Sequence, residues 1–96
     1  MCNFFLKSFR SSRKRRLVRS IELLSKAKAS PFQRWYLVRI PGQGLFELVS
    51  ERGDRFVTGC FSLWDVSLVL RFLHWGYVKS EYDGDMVLIT LLNTDY

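Results

Sequence analysis

The chain has 96 residues, 48% of them apolar and 16% aromatic, which suffices for one folded domain with its own core. Its two cysteines, Cys2 and Cys60, are too few and too far apart for the disulfide framework of a small secreted domain, and no stretch approaches the roughly 18 apolar residues that a transmembrane helix needs. The formal net charge of +6 is unevenly divided: residues 1–30 carry nine Lys or Arg against the single acid Glu22, so the remainder is slightly acidic and the basicity is a local device.

Residues 1–12 read as a flexible aromatic and basic arm. Phe4, Phe5, Leu6 and Phe9 precede the run Arg13-Lys14-Arg15-Arg16, the reverse of a secretory signal, in which charge comes first and a longer apolar stretch follows. An aromatic tip beside a polybasic run, with Cys2 open to acylation, makes peripheral membrane attachment a secondary reading. The cysteine usage suits a reducing cytoplasm, or the nucleus of a eukaryotic host.

A basic helix is expected over residues 13–29. Ser11 or Ser12 offers its N-cap, and Pro31 disfavours helical geometry in Ser30, so the helix must end there. At 100° per residue Leu17, Val18, Ile21 and Leu24 share one face, while Arg15, Arg19 and Lys26, with Glu22 among them, share the opposite one. From Arg34 the period becomes two. A three-stranded meander over 34–61 is expected, with strands Trp35 to Ile40, Leu45 to Ser50 and Arg55 to Phe61, joined by the turns Pro41-Gly42-Gln43-Gly44 and Glu51-Arg52-Gly53-Asp54. Gly59 inside the third strand marks a bulge or a close backbone approach.

A second helix is expected over 62–75, capped by Ser62 and stopped by Gly76, followed by a hairpin over 77–92 across Asp83-Gly84-Asp85. The fold class is therefore α+β: a single small domain of order α-β-β-β-α-β-β, with an antiparallel sheet and a basic N-terminal helix. The second helix is apolar on two sides. Leu63, Val66, Val69, Leu70 and Leu73 suit a sheet, and Trp64, Leu68, Phe72 and Trp75 recur on the far side. Either the first helix covers that second face, or it meets another chain.

Catalytic constellations are scarce. His74 is the single histidine, and beside Cys60 or Cys2 it has neither an oxyanion motif nor a third orienting group, so it reads as a residue bonding a helix-terminal carbonyl. Glu81, Asp83 and Asp85 read as hairpin-turn residues, and Gly42-Gln43-Gly44 lacks the context of a phosphate loop. The expectation is a protein that is not an enzyme and has no metal or cofactor.

The segment "WYLVRIPGQGLFELVSERGDRFVTGCFSLWDVSLVLRFL" resembles in outline the three-strands-then-helix modules of plant ethylene-response-type DNA-binding domains and of the arm-binding domains of phage integrases. That resemblance implies DNA contacts from the open sheet face, where Arg34, Arg39, Arg52 and Arg55 take comparable places and Glu47 and Glu51 intrude. Counted from the first helix, the order α-β-β-β-α is similar to that of double-stranded RNA-binding domains, with Ser62-Leu63-Trp64-Asp65 in place of their Lys-rich second-helix opening.

The expected role is a small binding or regulatory protein. Arg10, Arg13, Lys14, Arg15, Arg16, Arg19 and Lys26 would contact nucleic acid, DNA or RNA, or a nucleic-acid-handling complex, through about five to seven phosphates. Trp64, Leu68, Phe72 and Trp75 would meet a protein partner or a second copy. The alternative is an adaptor or inhibitor, such as a viral or mobile-element accessory protein, whose basic residues dock on an acidic target.

Overall fold

The computed structural model describes residues 2–93, with side chains at 12–76 and 79–93. Arg10, Cys2 and the Phe4-Phe5-Leu6 tip of the expected arm lie outside the described side chains. Two helices, α1 (Cys2–Lys28) and α2 (Leu63–Phe72), pack on one face of a five-stranded antiparallel sheet made of β1 (Arg34–Arg39), β2 (Glu47–Ser50), β3 (Arg55–Val57), β4 (Tyr77–Asp83) and β5 (Met86–Leu92). The element order is the expected α-β-β-β-α-β-β, and the strands lie side by side as β3-β2-β1-β5-β4. The meander and the hairpin thus join through β1 and β5, with α2 carrying the chain from one edge of the sheet to the other.

The helical backbone of α1 extends N-terminal to the expected caps Ser11 and Ser12. No Gly or Pro interrupts that stretch, and Ser12 accepts a bond from Arg16 Nη1 at 3.2 Å. The other end is firmly closed. Ser30 Oγ donates to the Ala27 carbonyl at 2.6 Å and accepts from Trp35 Nε1 at 3.1 Å, while Asn93 Nδ2 donates to the Ala27 and Phe32 carbonyls.

The sheet buries the period-two residues Trp35, Leu37, Leu48, Val87, Ile89 and Leu91, together with Phe46, beneath Leu24 and Ala27 of α1 and Val66, Val69 and Leu70 of α2. At about 1.5–3 kcal/mol per large apolar side chain, this single core is the main favourable term in folding. The third strand leaves the regular ladder after Val57. Phe46 is bracketed there, its carbonyl accepting from Thr58 N and its own N–H donating to the Cys60 carbonyl, both at 2.9 Å. Gly59, between them, passes so close to α1 that a Cβ would lie 2.7 Å from Arg16 Cα, and its N–H donates to Ser20 Oγ at 2.7 Å. The close approach expected at Gly59 is the contact that seats α1 on the sheet.

Helix α2 is capped by Ser62, whose Oγ accepts from Asp65 N at 3.2 Å. It ends earlier than expected. His74, not Gly76, takes the left-handed position, with φ 52°, and the bonds His74 N to Arg71 O and Trp75 N to Leu70 O close a Schellman motif. Lys28 Nζ donates to the Leu73 carbonyl at 2.6 Å and seals the same end.

Candidate functional site

The basic residues of α1 fall into two groups that a run of like charges conceals. The buried stripe of the helix passes through Ser20, Leu24 and Ala27; Arg16 lies one turn before Ser20 and is partly buried, and Arg13, a turn earlier, is exposed. Arg13 Nη2 pairs with Asp65 Oδ1 at 3.3 Å, where the carboxylate also accepts from Phe61 N in the turn before α2. Arg16 lays its guanidinium over the Phe61 ring, 4.8 Å from the centroid, and its Nε is buried. Both reach toward the start of α2; Arg13 stays half exposed while it does so, and Arg16 is partly buried. Val18, expected inside, is 43% exposed, because the stripe is rotated toward the small residues Ser20 and Ala27.

Lys14, Arg15, Arg19 and Lys26 are exposed and make no ion pair among the described residues. Arg15, Arg19 and Lys26 form one row with Glu22, at i, i+4, i+7 and i+11, about 16 Å long. On α2, Trp64 and Phe72 are 68% and 67% exposed and Leu68 lies between them at 37%. Helix α1 does not cover this stripe; the two helices lie side by side on the sheet. Trp75 is not part of it. That residue follows the left-handed turn, is 5% exposed, and donates from Nε1 to the Leu92 carbonyl at 2.9 Å, so it belongs to the core. Arg71, seven residues after Trp64 and beside Phe72, is exposed near the same stripe, a spacing visible in the sequence.

The arginines suggested for the open sheet face are mostly engaged elsewhere. Arg39 points to the helical side, stacks over Phe46 at 4.9 Å and donates to the Phe61 carbonyl at 2.8 Å. Arg52 lies over the Phe32 ring, and Arg55 pairs with Glu47 at 3.5 Å. Only Arg34 and Arg55 remain exposed on that face.

Burial raises the Cys60 thiol above its ordinary value of 9.0, against the smaller opposing effect of hydrogen bonds with Ser20 and Thr58. A thiol so placed is a poor nucleophile at neutral pH. His74 contributes its backbone to the helix stop, and it lines an open cavity of about 580 Å³ beside α2 with Ser67, Leu70, Arg71, Trp75 and Gly76. Among the described residues no three His, Cys, Asp or Glu side chains converge as metal ligands, and no helix is long and apolar enough to cross a membrane. Comparison with family models, with curated proteins and with solved structures finds no match.

Proposed function

We propose that this protein is a small non-catalytic binding module that lays the outward row of α1 along the backbone of a nucleic acid. The observation that supports this reading is the sorting of cations on α1: Arg13 and Arg16 are held by Asp65 and Phe61, while Lys14, Arg15, Arg19 and Lys26 face solvent without an acidic partner among the described residues. A duplex presents one phosphate charge per about 1.7 Å, so a row of about 16 Å spans more phosphates than it has cations, and every cation can find one. Glu22 within the row limits the net charge and argues for contact through individual side chains.

Fluorescence anisotropy of labelled duplex and single-stranded oligonucleotides tests the reading. Four phosphate contacts give a slope of log affinity against log salt of about −3.6 on duplex and about −2.8 on single strands. Replacing Arg15, Arg19 and Lys26 with Gln should bring the duplex slope to about −1. Absence of saturable binding at physiological salt would reject the proposal.

A second reading is favoured by the exposed Trp64, Leu68 and Phe72 stripe, whose residue types are those of interface anchors. In it the protein is an adaptor or inhibitor, for example an accessory protein of a virus or mobile element, and α1 supplies charge against an acidic target. Generic nucleic acid would then fail to compete with that target. Either reading suits a cytoplasmic or nuclear location.

A further inference from the structure

Among the described residues the sheet has helices on one face only, yet β1 and β5 are apolar on both. On the open face the register aligns two rows across all five strands: Val57-Glu47-Val38-Leu88-Glu81, and beside it Arg55-Val49-Tyr36-Thr90-Lys79. In both rows the central residues are half-buried, with no layer above them among the described residues. The charges follow a rule. The first row carries only acids, Glu47 and Glu81, and the second only bases, Arg55 and Lys79, already paired within the protomer at 3.5 Å and 3.0 Å.

We propose that this face binds a second copy of the same chain, sheet against sheet, about a two-fold axis running across the strands between the two rows. Such an axis sets each row against the other row of the partner: Glu81 meets the partner's Lys79, Arg55 comes within reach of the partner's Glu47, and Val38 and Leu88 lie over the partner's Tyr36 and Thr90. An apolar centre with a polar, charge-complementary rim is the anatomy of a specific interface, and a two-fold repeats every favourable contact. The choice of a second copy rests on charge. On this face Arg34, Arg55 and Lys79 are balanced by Glu47, Glu81 and Asp83, whereas the helical layer is strongly basic and would repel its own copy. Five strands at about 4.8 Å and strands of about six residues give a face near 24 by 20 Å, so the pair buries about 1,000 Å², at the lower bound for specific association. The dimer is therefore expected to have a dissociation constant in the micromolar range, on the order of 10 μM.

Sedimentation equilibrium of the full chain at physiological salt, from about 1 to 300 μM, reads this directly. The expected result is a reversible monomer–dimer equilibrium. Lys79→Glu should weaken it about tenfold, since the two-fold counts each like-charge contact twice. The swap Lys79→Glu with Glu81→Lys restores both the internal pair and the cross-dimer pair and should return affinity to within about threefold of the parent. Val38→Lys, at the centre, should leave a monomer with unchanged circular dichroism. A chain that stays monomeric throughout the range overturns the proposal. So does a dimer that survives Val38→Lys and is lost with Trp64→Ala, which would put self-association on α2.

Discussion

Gly59→Ala tests the seating of α1 on the sheet more directly than any other single change. The new Cβ would lie 2.6 Å from the Arg16 carbonyl carbon and 2.7 Å from its Cα, where carbon atoms ordinarily stand about 3.5–4.0 Å apart. The obstacle is helix backbone, which cannot rotate away as a side chain could, so α1 must retreat by about 1 Å. That retreat breaks the 2.7 Å bond from Gly59 N to Ser20 Oγ, whose partners are both buried. The overpacking is worth about 1–3 kcal/mol and the orphaned amide about 1–3 kcal/mol more. A loss of about 2–6 kcal/mol lowers the melting temperature of a domain this size by about 10 °C or more. Urea unfolding followed by far-ultraviolet circular dichroism measures it, with Gly76→Ala as control, since Gly76 has no positive φ and an added methyl there would meet nothing within 4 Å. A Gly59→Ala protein within about 0.5 kcal/mol of the parent would refute the close approach of helix and sheet.

Three further outcomes are expected. His74→Gly relieves a left-handed backbone at the Schellman turn and should raise stability by about 0.5–1 kcal/mol; an unchanged or lower urea midpoint would count against that geometry. Trp75→Ala should remove about 3–5 kcal/mol, whereas Trp64→Ala should stay within about 0.5 kcal/mol, and equal losses would contradict the burial of one ring and the exposure of the other. Burial holds the Cys60 proton more tightly in the folded chain, so this group's contribution to stability is complete below the ordinary thiol value of 9.0 and is lost as pH rises through the higher folded value. The difference in urea midpoint between parent and Cys60→Ala should therefore change above pH 9.0 and stay constant below it, and a constant difference throughout would remove Cys60 as the cause.

Local order in the fold was legible because it is written locally. Alternation in Arg34 to Arg39 and Met86 to Leu92, turn residues between strands and Ser62 before an apolar helix each identify an element through its own period or cap. The pairing of β1 with β5 has no such signature, since it joins segments on either side of α2, and either edge of the meander could have met either edge of the hairpin. The basic helix shows the limit for function. Arg16 looks like a member of an exposed run until Ser20 and Ala27, small and only weakly hydrophobic, are recognised as the continuation of the buried stripe that it borders. Trp75 shows another. Helical spacing placed it with Trp64 and Phe72, but the left-handed turn at His74 ended the helix first and turned its ring into the core.

The central strand also imposes an order on biosynthesis. Val38 pairs with Glu47 soon after it is made, but its other neighbour, Leu88, is added fifty residues later. At about 5–20 residues per second that interval is about 3–10 s, during which one side of β1 offers unpaired amides and carbonyls beside apolar side chains. A nascent chain halted between Ser50 and Met86 would carry an open edge, the kind of surface that recruits chaperones or templates aggregation. Shortened versions lacking β5 should accordingly accumulate as insoluble material.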